Sequence, residues 1–414
     1  MTKSALVLGG GMVGVCTAWH LAQRGFDVTL IERGEPGRET SYGNAGLIQR
    51  EAVEPYEFPH DLGTLLRVAV GIGNDVAWRA RDLPAIAPRL LRYWWHSFPS
   101  RYRAIARSYE AMIRHCLDEH QRMIAAAGAD NLVARDGWKA LYRTGRAFEA
   151  GVGEARARAQ RTGVLSEILD GAALAQAEPV LLHPMAGAIH WRDPWSVSDP
   201  GELVGRYAAL LEAAGGRILR GDARSLTRHA GGWRVETAQG PVDAAQAVIA
   251  LGPWSDMVAR TLGYRFPLFV KRGYHRHFAW PGGLATPVLD TEMGIAMIPM
   301  ARGLRVTTGA EFAHRDAPSG TRQMARSEQI ARALLPLGAA VEAQPWRGAR
   351  PCMPDMLPVI GPAWDHPGLW FHFGHAHQGF TLGPTTGRLC AEMMNGETPF
   401  IDPAPYSPAR FRRA

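Results

Sequence analysis

Apolar residues fall along this chain in two rhythms. Ala5, Leu6, Val7 and Leu8 form an unbroken run, the pattern of a short parallel strand buried on both faces. A glycine-rich turn follows, then a helical stretch from Met12 to Gln23 closed by Gly25, then a second strand over Asp27 to Ile31. Over 104–127, Ile105, Met112, Ile113, Cys116, Met123 and Ile124 recur near helical spacing, and the Ala-, Arg- and Glu-rich stretch 147–161 predicts an exposed helix. Leu141-Tyr142, after a Gly137 turn, suggests a strand. Ser198-Asp199-Pro200-Gly201-Glu202 predicts a helix start, with Asp199 as N-cap, Pro200 first and Glu202 third. Gly215-Gly216 ends that helix. A strand around 217–221 and an apolar strand from Ala247 to Leu251 come next. From 266 to 350 the rhythm changes to alternation. Tyr274 to Trp280, Gly294 to Met300 and Gly303 to Thr308 read as antiparallel strands able to wall a cavity. Near the end, an apolar strand enters a Gly- and His-rich loop, and a helix of about twelve residues is expected from Pro384.

The turn after the first strand carries the first chemistry. Gly9, Gly11 and Gly14 supply G-x-G-x-x-G: one glycine for the tight turn, one for close approach of a pyrophosphate, one for helix–strand packing. The next helix, through Met12 and Val13, points its N-terminal N–H groups at the phosphates. Glu32 ends the second strand eighteen residues beyond Gly14, where a carboxylate accepts from both ribose hydroxyls and repels a 2′-phosphate. This context predicts an adenine dinucleotide and leaves NAD and FAD open.

Composition narrows the class only modestly. The chain has 414 residues, enough for two or three domains, and 46% hydrophobic against 21% charged residues is ordinary for a soluble protein. No run approaches the ~18 apolar residues of a membrane span. The first apolar run is the nucleotide strand itself, so a cleaved signal peptide is not expected, and a cytoplasmic location is. Cys16, Cys116, Cys352 and Cys390 form no C-x-x-C and read as buried free thiols. His375 and His377 form H-x-H without accompanying acids, so no metal is expected.

The net charge of +7 is concentrated in part between Trp78 and Arg107, with seven arginines, one acid (Asp82) and interleaved aromatics including Tyr93, Trp94, Trp95 and Phe98. No nucleic-acid module accompanies them, and no nucleic-acid partner is expected. Prolines 84, 88 and 99 predict short helical pieces. Either the aromatics enter the core and the arginines are solvated, or the segment meets an anionic membrane surface as a peripheral contact.

Beyond Glu32, the loop E-P-G-R-E-T-S-Y-G-N-A-G-L at 35–47 begins a resemblance to the D-amino-acid oxidase superfamily of flavoproteins, and within it to bacterial D-amino-acid dehydrogenases and glycine or sarcosine oxidases. The resemblance runs in order through the whole chain. Gly252-Pro253-Trp254-Ser255 resembles a family turn that meets the dinucleotide, although Trp254 reads equally as core. Arg-Gly-Tyr-His at 272–275 resembles the segment that brings a tyrosine over the flavin; Tyr274 otherwise reads as a plain strand tyrosine. W-R-G-A-R-P-C-M-P-D-M-L-P-V-I-G at 346–361 resembles the segment whose arginine clamps the amino-acid carboxylate, here Arg350, with Met353 where the family has threonine. The final F-G-H-A-H-Q-G-F-T-L-G at 373–383 is similar to the family's flavin loop.

The resemblance implies FAD, held non-covalently; the cysteine that some sarcosine oxidases attach to flavin falls near Gly348 rather than at Cys352. It implies cofactor contacts at Gly9, Gly11, Met12, Val13, Gly14, Glu32, Arg33, Ser41, Asn44, Ala45, Gly46, Gly252, Trp254, Gly374, His375, Gln378, Gly379, Phe380 and Thr381. Arg350 and Tyr274 are the expected carboxylate-binding pair. The expected fold is α/β, a Rossmann-type FAD-binding domain from discontinuous segments (1–50, 195–265 and 350–405) plus a substrate domain with an antiparallel sheet (51–194 and 266–349). The expected reaction is oxidation of a D-amino or cyclic imino acid, of D-proline or D-hydroxyproline type, by hydride transfer from Cα to flavin N5. The electrons go to a quinone or carrier, at the inner face of the membrane if the basic segment docks there. Two alternatives stand beside it: a glycine- or sarcosine-type oxidase using oxygen, and a non-catalytic flavin subunit of a larger complex.

Overall fold

The computed structural model describes residues 3–71 and 73–412. Its first organising element is a six-stranded sheet drawn from three distant parts of the chain. In spatial order the strands are Arg217–Arg220, Asp27–Glu32, Ser4–Leu8, Gln246–Ile249, Leu369–Phe373 and Val359–Pro362. All neighbours are parallel except the last pair. The strand Ser4–Leu8 is central, and Leu6, Val7 and Leu8 are fully buried, as its unbroken apolar run demands.

Two helices close one face of this sheet. Met12–Ala22 packs directly on Gly379–Asn395. Small residues permit the close approach: a Cβ on Gly383 would lie 2.4 Å from Met12 Cγ, and one on Gly387 would lie 2.9 Å from the Cys16 backbone. The second helix starts at Gly379, not at Pro384 as the sequence suggests. Pro384 sits inside it, and the Phe380 carbonyl that its missing N–H leaves free is taken by the buried His120. Proline therefore does not mark a helix end here, because a side chain from another helix completes the backbone.

A second, ten-stranded sheet forms the other wall. Its path includes Phe269–Phe278, Gly303–Thr307, Ile295–Met300, Val288–Asp290, Trp138–Tyr142, Gly187–Trp191 and Ser166–Asp170, with Trp346–Cys352 pairing Phe269–Phe278. Most neighbours are antiparallel; Val288–Asp290 runs parallel to Trp138–Tyr142. A small sheet of Leu47–Ile48, Trp195–Val197 and Val133–Ala134 lies between the chain's early and middle parts.

The expected helix over 104–127 is two helices, Pro99–Ile113 and Cys116–Ala126. The break lets Tyr109 and Met112 on one, and His120 and Met123 on the other, reach the same core. Leu83–His96 continues through Pro88 and exposes Leu91 and Trp95. At Pro200–Ala213 the cap is as expected, with Asp199 accepting from the Glu202 N–H at 3.0 Å. The Glu202 carboxylate bonds Arg206 instead of closing the capping box.

Candidate active site

The two sheets enclose one long cavity of about 1160 Å³. At one end lies the glycine turn. Gly9 has φ +111°, and a Cβ there would sit 2.6 Å from the Ala250 carbonyl oxygen. At Gly14 a Cβ would meet the Gly9 oxygen at 1.9 Å, so only glycine lets helix and strand meet this closely. Gly11, Met12 and Val13 line the cavity, and the helix they begin has no acidic side chain in its first turn. Ser41 accepts the Met12 N–H at 2.9 Å. Glu32 is buried, with Oε2 accepting from Gly10 N at 2.6 Å and Oε1 from Arg33 N at 2.8 Å. The carboxylate thus pins the turn while it borders the cavity. Beside it, the Arg33 guanidinium stacks 4.2 Å from the Trp254 ring, on the turn where Gly252 takes φ +53°. Trp254 is accordingly a half-buried wall of the cavity rather than core.

Asn44, Ala45, Gly374, His375, Gly379 and Phe380 line the middle of the cavity. The helix Gly379–Asn395 directs a second N-terminus toward it, again without a side-chain cap. Gly14, Gly46, Gln378 and Thr381, also expected near the cofactor, do not line the cavity. Gly46 packs where a Cβ would lie 2.4 Å from the Val197 oxygen, and its N–H is held by Asn44 Oδ1 at 2.8 Å. Thr381 Oγ1 accepts from Gln49 N at 3.2 Å, and Gln378 Nε2 donates to Gln49 Oε1 at 2.9 Å. Gln49 in turn donates to Glu51, which also receives Trp138 Nε1 at 2.9 Å. Burial pushes the Glu51 carboxyl up to about 7. Sequence reasoning missed Gln49 and Glu51, because their partners lie far along the chain.

Strand pairing fixes the far end. Lys271 stands directly opposite Arg350, and Gly273 opposite Gly348. Side chains alternate faces along a strand, so Lys271, Gly273 and Arg350 share the cavity side. The Arg350 guanidinium lies over Gly273, where a Cβ would come within 2.6 Å of Nη2. Burial draws the Arg350 guanidinium below its ordinary range.

Tyr274 stands one residue away, and although it too borders the cavity, its hydroxyl turns toward Glu311. Its hydroxyl donates to Glu311 Oε2 at 2.6 Å and accepts from Arg272 Nη2 at 2.6 Å and Gly320 N at 3.0 Å. With its donor and both acceptor directions filled, the Tyr274 hydroxyl is engaged within the fold, unlike the Arg350 guanidinium. A second cation, Lys271, also borders the cavity; its parity with Gly273 was visible in the sequence but its register with Arg350 was not. Cys352 stands opposite Phe269 in the same wall. No group of three or more His, Cys, Asp or Glu side chains able to hold a metal occurs among the described residues.

The protein's own donor groups suit a long ligand with negative charge at two places. Two helix N-termini open into one cavity. Residues 4–393 match the family model for the DAO family, described as FAD-dependent oxidoreductase. The chain belongs to this family. Its curated relatives include a D-amino-acid oxidase of Bradyrhizobium diazoefficiens, 29% identical with 99% of each chain covered. A D-amino acid dehydrogenase of Methylobacterium nodulans is 30% identical, again over 99% of each chain. Among solved structures, glycine oxidase from Geobacillus kaustophilus superposes with a TM-score of 0.73 at 21% identity, covering 100% of this chain and 98% of that one. This chain is an FAD-dependent oxidoreductase acting on amino acids, as the names of its curated relatives describe. The residues fit that cofactor: Gly9, Gly11 and the Met12 helix for the pyrophosphate, Glu32 for a ribose, and the Gly379 helix for the ring system.

Proposed function

We propose that this enzyme oxidises a D-amino or cyclic imino acid at its CH–NH bond and passes the electrons to a carrier other than oxygen, such as a quinone. The observation that carries this reading is Arg350. Its guanidinium lies on Gly273 in the same cavity as the two open helix N-termini, and among the described residues its side chain makes one weak hydrogen bond, to the Arg272 carbonyl at 3.4 Å. Bound FAD, non-covalent in this reading, would accept the hydride from the substrate Cα. Arg350 would grip the α-carboxylate through two parallel hydrogen bonds and so fix which hydrogen faces the cofactor. Phe269, Phe312 and Tyr93 line the same end and would exclude water from the reacting amine. The dehydrogenase name of several curated relatives supports the acceptor; the oxidase name of another points to oxygen.

Anaerobic bleaching of the flavin by a panel of D-amino acids, followed by reoxidation with oxygen or a soluble quinone, tests both halves. Bleaching by no amino acid favours a non-catalytic subunit, and rapid reoxidation by oxygen favours an oxidase.

We further propose a peripheral membrane contact through the basic segment. No helix among the described residues is long and apolar enough to cross a membrane. Leu91 and Trp95 are exposed on Leu83–His96, Arg101 stacks on Trp95 at 4.3 Å, and Leu62 and Leu66 are exposed on the neighbouring helix Leu62–Ala69. Flotation with anionic liposomes at low salt is expected for the wild type and not for a variant carrying Arg89→Glu, Arg92→Glu and Trp95→Ala. Failure of the wild type to float removes the membrane contact.

A further inference from the structure

We propose that the preferred substrate carries a second carboxylate, and that Lys271 binds it while Arg350 binds the first. This rests on the amino-acid reading above and names the substrate class.

Two cations share one wall of the cavity. Lys271 and Arg350 are directly paired across the strands Phe269–Phe278 and Trp346–Cys352, and both border the cavity. They lean apart. Arg350 lies over Gly273, whereas the Lys271 ammonium lies 4.2 Å from the Tyr93 ring centre and 5.8 Å from that of Phe312. Lys271 Nζ donates to the Tyr93 hydroxyl at 3.0 Å, which uses one of its three hydrogens.

No carboxylate answers either charge. Among the described residues, the ionisable groups coupled to Lys271 are the Cys352 thiol, Arg350, the Tyr56 phenol and the His377 ring, and Cys352, Tyr56 and His377 likewise face Arg350, none of them a carboxylate. Acids elsewhere along the cavity are engaged differently: Glu57 interacts with His60 and Glu54, and Asp75 pairs with Arg67 at 3.9 Å. Burial holds Lys271 below its ordinary value, and Arg350 pushes it the same way. Two partly buried cations with no protein anion between them are costly, and the arrangement is relieved by a ligand with two anionic ends. One carboxylate on Arg350 leaves the other directed toward Lys271, Tyr93 and Phe312. A D-proline-type substrate offers nothing to Lys271, so the two preferences separate cleanly.

The test compares isosteric pairs on the holoenzyme: D-glutamate with D-glutamine, and D-aspartate with D-asparagine, by anaerobic flavin bleaching. The acid of each pair is expected to bleach at least about 30-fold more efficiently, the scale of an unpaired buried charge. Lys271→Met should abolish that ratio while changing D-alanine turnover less than about threefold, and Lys271→Arg should restore part of it. Calorimetric titration with glutarate, which cannot be oxidised, gives a readout independent of turnover. Glutarate should bind the wild type and lose at least about tenfold in affinity in Lys271→Met. Equal use of acid and amide, or equal losses for D-glutamate and D-alanine in Lys271→Met, overturns the inference and leaves the amino-acid reading standing. Glutarate binding without bleaching by any amino acid overturns that reading, and with it the claim about substrate.

Discussion

The Nε2 atom of His120 lies 3.0 Å from the carbonyl oxygen of Phe380, one helical turn before Pro384. Tyr207 sits 3.1 Å from the other ring nitrogen, so Nε2 carries the proton for Phe380 and Nδ1 accepts from Tyr207. Burial lowers the His120 pKa to about 4, which keeps the ring neutral at working pH. His120→Leu is expected to cost about 1–3 kcal/mol, because the Phe380 carbonyl is left buried and unpaired. Adding Pro384→Ala restores the missing backbone N–H and should recover part of the loss. Denaturant titration of both single variants and the double variant checks this; strict additivity would show that the two sites are uncoupled.

Arg350→Ala should raise KM by about 2–5 kcal/mol of lost binding, with FAD still retained. Arg350→Lys should recover only part, since an ammonium cannot form the two parallel bonds of a guanidinium. Steady-state kinetics alongside the flavin absorbance of the purified variants separates substrate loss from cofactor loss. Wild-type flavin reduction in the alanine variant would exclude Arg350 as the anchor.

Glu32 serves the turn and the cofactor together. Glu32→Ala removes the acceptor for Gly10 N and Arg33 N as well as for a ribose, so FAD affinity should fall by about 1.5–3 kcal/mol for each bond lost. Dialysis of the holoenzyme, followed by fluorescence of released FAD, measures the retention. Undiminished retention would place the ribose elsewhere.

Glu51 makes stability depend on pH. In the fold its carboxyl ionises near 7, against about 4.5 for an ordinary glutamate, because it is buried. Between those values the folded state holds a proton that the unfolded chain has lost. Stability therefore falls as pH rises from about 4.5 to about 7, by about 3 kcal/mol in total, and then levels off. Glu51→Gln removes this slope, so the variant should gain on the wild type between pH 5 and pH 8. Urea titrations at the two pH values decide it; an unchanged difference would mean that Glu51 does not titrate in this window.

The sequence was most legible where one residue type has few uses. Gly9 and Gly14 carry contacts that no side chain tolerates, and Asp199 caps the helix it precedes. It was least legible where meaning comes from pairing. Nothing near Lys271 reveals that Arg350 stands opposite it, and register between segments so distant is a property of the whole fold. For the same reason nothing near Tyr274 reveals that its hydroxyl bonds Glu311, thirty-seven residues on. Glu51 looks like a loop carboxylate until Trp138 and Gln49 cover it.

The order of strands in the six-stranded sheet governs when the enzyme can be loaded. As the ribosome extends the chain, Ser4–Leu8 and its glycine turn precede the other strands of this sheet, with Asp27–Glu32, its partner on one side, close behind. The other edge of that strand stays open until Gln246–Ile249 has been made, and the Gly379 helix follows only after Leu369–Phe373. At about 5–20 residues per second, this interval lasts tens of seconds. During it one edge of that apolar strand has no partner to pair with. The cavity's two helix N-termini therefore meet only after the Gly379 helix has been made, so capture of the cofactor is coupled to pairing of Gln246–Ile249 with Leu369–Phe373.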